Sequence, residues 1–241
     1  RAVMVPLGQT GRKRIVADEG LEGVVRLQRG SGRSDADYAL EVLRYAVKGG
    51  ADVLTLCDTN GGSLPDEVER ITEAVLSLFP HCSIAIHCHN DTGCAVANSL
   101  AAVNAGAGMV HGTFTGIGER CGNADLSVIL PNLKLKMGYT CNGDISQLYS
   151  VARRIAYISN TQIDNNRPYV GKSAFAHKGG MHTDGVLKVH SSFEHVDPES
   201  VGNKRKFLMS EVAGRSTLIA KASAIVPDIK KDSKEVSIIL E

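Results

Sequence analysis

Two histidines two residues apart, His87 and His89, close an apolar run that begins at Ile84. On a strand, residues i and i+2 share a face. Both imidazoles therefore reach toward one point at the strand's end, where a divalent ion is the partner they fit. Two imidazole nitrogens with added oxygen donors suit Zn²⁺, Mn²⁺ or Mg²⁺ acting as a Lewis acid. Asp91 follows closely and is placed to accept a histidine N–H from behind the metal. Cys88 faces the other side of the strand and reads as packing. Downstream, Gly116-Ile-Gly-Glu-Arg-Cys-Gly-Asn123 offers the Asn123 amide oxygen to the same ion, with Glu119 and Arg120 as a bracing ion pair. Asp58-Thr59 ends another apolar run. There a threonine hydroxyl can bind a carboxylate, and Asp58 can brace the loop. Thr59, Asp58, Glu119 and Arg120 are thus the candidate substrate-binding set. A fourth polar stretch, His177-Lys-Gly-Gly-Met-His182, offers His182 for proton transfer near neutral pH.

These groups need elements to carry them. From about residue 36 strand and helix signals alternate. Asp35 to Lys48 has helical apolar spacing and stops at Gly49-Gly50. Val53 to Cys57 is a strand. Ser63 is expected to cap a helix to Leu78, with Pro65 in its first turn and Asp66 completing a capping box. Ser83 to Cys88 is a strand, Thr92 to Asn104 a small-residue helix, and Met109 to Phe114 a strand. Ala124 to Met137 is mostly helical, kinked at Pro131. A further strand is expected at Arg14 to Ala17. Units of roughly 25–35 residues suggest parallel βα repeats, and the polar clusters all follow strand C-termini, where α/β folds bind ligands. An eight-stranded barrel takes about 250 residues, so these strands are expected to be the C-terminal part of a TIM (β/α)8 barrel whose N-terminal half is absent. The expected division is 1–138 as a partial barrel and 139–241 as a mostly helical linker subdomain. That second part shows helix signals at Asp144 to Ser159, Met181 to Lys188 and Glu211 to Ile225, and no parallel-strand pattern.

Bulk properties exclude other classes. A formal net charge of +1 over 241 residues gives no footprint for nucleic acid or a membrane surface. No apolar run approaches the ~18 residues that span a bilayer. The six scattered cysteines contain no CxxC pair and are expected to be reduced thiols in a cytoplasmic protein.

Taken as wording, Leu56-Cys-Asp-Thr-Asn-Gly-Gly62, Ile84 to Ala97, Gly112 to Ala124, Tyr169 to His182 and Pro198 to Asn203 resemble the α-isopropylmalate synthase and homocitrate synthase family, nearest its citramalate-forming branch. The likeness runs from about Asp35 to Ile225. It implies a TIM barrel followed by a helical subdomain, in a homodimer. It also implies His87 and His89 as metal ligands with Asn123 at the metal, Thr59 on a 2-oxo acid, and His182 as a catalytic histidine. The implied reaction is a metal-dependent Claisen condensation of acetyl-CoA with a 2-oxo acid. Pyruvate is the expected acceptor, with 2-oxoisovalerate and 2-oxoglutarate as rivals. A lyase running the reverse cleavage, or an inactive fragment that only associates, are the competing readings.

Three departures accompany the likeness. The family's first-strand Arg-Asp-Gly motif has no counterpart here. Its mid-barrel catalytic acid is carried over to Glu19, after the expected strand at Arg14 to Ala17. Phe193 stands where a tyrosine often follows the catalytic histidine. The C-terminal regulatory domain that many members carry is also expected to be absent.

Overall fold

Leu54, Leu56, Ile84, Ala85 and Ile86 are at most 1% exposed, the two-sided burial of strands held between layers. The computed structural model describes residues 3–8, 21–26, 36–208 and 215–222, with Val226, Ile229, Val236 and Ile238. Two compact units result, Arg1–Gly143 and Asp144–Glu241.

The first unit is α/β. Its strands are β1 (Val3–Gly8), β2 (Leu21–Arg26), β3 (Ala51–Asp58), β4 (Ser83–Cys88), β5 (Met109–Gly112) and β6 (Thr140–Cys141). They form one sheet in the order β2-β3-β4-β5-β1-β6. β2 through β5 are parallel, whereas β1 runs antiparallel to β5 and to β6. The helices α1 (Ala36–Lys48), α2 (Pro65–Leu78) and α3 (Ala95–Asn104) connect the parallel strands, as a βα repeat requires. Val68, Thr72 and Val75 are the buried stripe of α2, spaced to lie on one helical face. α3 is built of small residues and buries Ala95, Asn98, Ser99, Ala102 and Val103, so it sits close to the sheet.

Several expectations need correction. The strand β2 occupies Leu21–Arg26, inside a basic run in which the sequence pattern showed no strand; pairing with β3 supplies what the pattern lacked. Ser63 does not cap α2: the cap position is Leu64, without a side-chain bond, because the Ser63 N–H itself donates to Asp58 Oδ2 at 3.2 Å. Pro131 ends α4 (Leu126–Pro131), and the chain continues as a π-turn over Asn132–Lys136. The expected strand at Arg14 to Ala17, and Glu19 after it, lie outside the described residues.

The second unit holds α5 (Leu148–Ile158), α6 (Gly180–Lys188) and α7 (Arg215–Ala222). It also contains the two-residue parallel pair β7 (Ala176–His177) and β8 (Lys206–Phe207), which is too short to leave a periodic signal in the sequence. Asn203, 3% exposed, donates from Nδ2 to the carbonyls of Tyr169 at 2.8 Å and Gly171 at 3.1 Å. One buried amide thus ties together two of the motifs that carried the family likeness. No described helix is long and apolar enough to cross a membrane.

Candidate metal and substrate site

The site is assembled from the loops after β3, β4 and β5. On β4, Ile84, Ile86 and Cys88 lie on one face and Ala85 and His87 on the other. Cys88 is fully buried and is hydrogen-bonded with Ser99 of α3; burial, with help from nearby Asp58, pushes its thiol far above the ordinary range. This is a packing position. His87 is turned the opposite way, and its ring centroid lies 5.2 Å from that of His89, with the planes at 73°.

His89 forms an isolated antiparallel bridge with Asn123. The flanking bonds are Ala124 N–H to Cys88 O at 2.9 Å and Asn90 N–H to Gly122 O at 2.9 Å. Asn123 donates from Nδ2 to Ile117 O at 3.1 Å, which identifies the other amide atom as the oxygen. That Oδ1 and the Nδ1 of His89 are both buried and without a hydrogen-bond partner. A buried polar atom left without a partner costs about 1–3 kcal/mol; a divalent ion would satisfy the Asn123 oxygen, and the His89 nitrogen in the tautomer that leaves it unprotonated. Among the described residues no three His, Cys, Asp or Glu side chains gather into an ion cage. The donors that fit a metal are therefore two imidazoles and one amide oxygen.

Glycines make the loop possible. Gly122 has φ +91°, and a Cβ there would sit 2.0 Å from Gly116 O; one on Gly118 would sit 2.0 Å from Asn123 Nδ2. Only glycine fits either place.

Arg120 departs from expectation. It does not brace Glu119, which is exposed. Its Nε and Nη2 donate to Asp91 Oδ1 at 2.7 Å and Oδ2 at 2.8 Å, and Nη2 also donates to Thr59 O at 2.8 Å. Those hydrogen bonds hold the Asp91 carboxyl below the usual range and raise the Arg120 guanidinium. Asp91 is consequently committed to Arg120 rather than to a histidine N–H. The planar fork of arginine suits this bidentate role, and it links the loops after β3, β4 and β5. Asp58 is fully buried, with its carboxylate turned to the loop that follows it. It accepts from Ser63 N–H, while its carbonyl accepts from His89 N–H at 3.1 Å. Thr59, next along, is half-buried at the loop's lip.

The comparisons with known proteins bear on this geometry. The HMGL-like family model matches residues 16–155, more than half of the chain. The chain belongs to the HMGL-like family. A second model, Homocitrate synthase post-HMGL domain-like, matches residues 169–239. The sequence is 49% identical over 211 residues to the (R)-citramalate synthase of Aquifex aeolicus, covering 87% of this chain and 40% of that protein. It is 47% identical over 199 residues to that of Synechocystis, covering 79% and 36%. The chain thus spans about 40% of the length of these relatives. Among solved structures, the HMG-CoA lyase of Bacillus subtilis superposes with a TM-score of 0.52 at 27% identity, covering 59% of this chain and 50% of that one. The architecture is accordingly that of the HMGL-like TIM barrel, followed by a helical part.

The structure also places histidines that the sequence reading passed over. His111 pairs in register with His87, which pairs in turn with Cys57. The His87 and His111 rings are 6.1 Å apart, and His111 is 8% exposed. The signal was available: His111 precedes the last residue of β5, as His87 precedes the last residue of β4. In the second unit, His182 lies on α6 and is exposed. Its ring stacks on Phe193, centroids 4.2 Å apart and planes at 20°. His177, offered only as part of a loop, is buried, with its Nε2 3.0 Å from Glu194 Oε1.

Proposed function

We propose that this chain carries the metal and keto-acid centre of an acetyl-CoA-dependent acyltransferase that condenses acetyl-CoA with a 2-oxo acid, pyruvate, to give citramalate. The observation that carries the reading is the pair of buried, unpartnered polar atoms, His89 Nδ1 and Asn123 Oδ1, beside His87 at the C-terminal end of a parallel sheet. The 49% identity to a citramalate synthase supports pyruvate as the acceptor.

The residues divide the work as follows. His87, His89 and Asn123 would hold a divalent cation, Zn²⁺, Mn²⁺ or Mg²⁺. When bound, that ion supplies the Lewis acidity that polarises a keto carbonyl. Asn123 is oriented for this by its donation to Ile117 O, which leaves only its oxygen available. The Thr59 hydroxyl would bind the keto acid's carboxylate, with its backbone held by Arg120. His182 would move a proton during the condensation or the thioester cleavage that follows. The working form would be a homodimer, a state that sedimentation checks.

The test is coenzyme A release from acetyl-CoA with Mn²⁺ or Zn²⁺ present. Pyruvate, 2-oxoisovalerate and 2-oxoglutarate are assayed in parallel. Release with pyruvate is the expected result. Release with another keto acid alone would overturn the substrate. No release with any of them, from folded and metal-loaded protein, would overturn the activity of this chain.

A further inference from the structure

The second unit contains a buried ion cluster that none of the steps above uses. Glu194 is 7% exposed, and both its oxygens are engaged. Oε1 accepts from Arg205 Nε at 2.7 Å and lies 3.0 Å from His177 Nε2. Oε2 accepts from Arg205 Nη2 at 2.5 Å. Burial alone would raise the Glu194 pKa, but hydrogen bonds from Arg205 and His177 outweigh it and leave the carboxyl below the ordinary range. His190 is a further neighbour, its Nδ1 3.2 Å from Arg205 Nη2, and the carboxylates of Asp197 and Glu199 also act on Arg205.

Each partner arrives from a different place. His177 is in β7, Arg205 directly precedes β8, and the two strands pair. Glu194 follows the turn after α6, where its N–H donates to His190 O at 3.2 Å. The cluster therefore fastens the far end of α6 to the short sheet that leads into it.

What this fastening holds in place is Phe193. That ring is 47% exposed, so burial does little to fix it. It nonetheless lies flat across α6. A Cβ on Gly185 would meet Phe193 Cε2 at 2.5 Å, and the ring stacks on His182 at 4.2 Å. His182 and Gly185 are i and i+3, neighbours on one helical face. Gly185 is the gap that lets an aromatic ring from the following loop reach the histidine. The adjoining face of α6 is buried through Thr183 and Val186, and Thr183 Oγ1 lies 3.2 Å from Thr217 Oγ1 of α7.

We infer that Glu194 is a positioning residue for His182: anchored by Arg205 and His177, it holds Phe193 against the histidine ring and so sets that ring's orientation. Glu194 is the buried member of the pair, its side chain 2% exposed against 24% for Arg205, so its carboxylate is tied to the partners that satisfy it. The inference rests on the reading of His182 as the proton-transfer residue, and the experiment separates the two.

The ring protons of His182 are assigned by NMR in the full chain, using His182→Gln as the assignment variant. Stacking on Phe193 displaces them upfield. Phe193→Leu is expected to abolish that displacement and Phe193→Tyr to preserve it. Glu194→Gln is expected to lose at least half of it, and to lower kcat with the keto-acid KM retained. A Glu194→Gln protein that melts cooperatively with the His182 shifts unmoved would overturn the inference. If Glu194→Gln does not fold, Phe193→Leu decides: unmoved His182 shifts in that variant overturn it equally. Full turnover by His182→Gln, with the shift coupling present, would sink the proton-transfer role and leave the positioning in place.

Discussion

Replacing Gly122 with alanine perturbs Asn123 without altering any proposed ligand. Gly122 has φ +91°, and an added Cβ would stand 2.0 Å from the Gly116 carbonyl oxygen. The left-handed backbone alone costs alanine about 1–2 kcal/mol. The contact cannot exist, so the loop must open. Two bonds are most exposed to that movement, Asn123 N–H to Gly116 O at 3.1 Å and Asn90 N–H to Gly122 O at 2.9 Å. Each is worth about 0.5–1.5 kcal/mol, giving a total of about 2–5 kcal/mol. If Asn123 must be in place for the metal to bind, even the low end weakens Mn²⁺ or Zn²⁺ binding roughly thirtyfold. Titration calorimetry measures this on the purified chain. Gly93→Ala is the control: its φ is +76° with no atom within 4 Å of a new Cβ. It should cost stability through backbone strain alone and leave metal affinity unchanged. A Gly122→Ala protein with the parent's affinity would refute the role given to Asn123. A Gly93→Ala protein as impaired as Gly122→Ala would show that strain, and not the close approach, matters.

The remaining expectations follow from single contacts. His87→Ala should bind no divalent metal and release no coenzyme A; unchanged metal content by elemental analysis would remove it from the ligand set. Arg120→Lys cannot make the fork to Asp91 together with the bond to Thr59 O, so amide exchange at Thr59–Gly62 and Asn90–Gly93 should quicken and the keto-acid KM rise. Unaltered exchange in both loops would dismiss the clamp. The folded pKa of Glu194 lies below its unfolded value. Its contribution to stability is therefore complete above the ordinary glutamate value of ~4.3 and is lost as pH falls through the lower folded value. Melts of the parent should show this acid limb, and Glu194→Gln should flatten it; an identical limb in both would assign acid sensitivity elsewhere.

Much of this molecule was legible in its sequence because the signals are local. β4 occupies Ser83–Cys88, as its apolar run and closing histidine indicated, and α1 stops before the two glycines. The i, i+2 spacing of His87 and His89 led to the expectation that both serve one site, since strand geometry alternates faces, and their ring centroids lie 5.2 Å apart. The glycines of the loop from Gly116 to Asn123 announced a close backbone approach. What the sequence could not specify is which long-range partner each polar group chooses. The sequence assigned Asp91 to a histidine and Glu119 to Arg120, and only the distance between the loops after β4 and β5 gave Asp91 to Arg120. Asp58 was expected to brace its loop, but only packing named its partner, the Ser63 N–H, and buried the side chain completely. The strand β2 and the pair β7 and β8 exist through pairing with segments far along the chain, and Glu194 joins His177 and Arg205 across 17 and 11 residues. Periodicity and spacing are properties of one segment and survive in the sequence. Ion pairs and strand registers are agreements between segments, and only the folded chain, by setting distances between them, decides which are made.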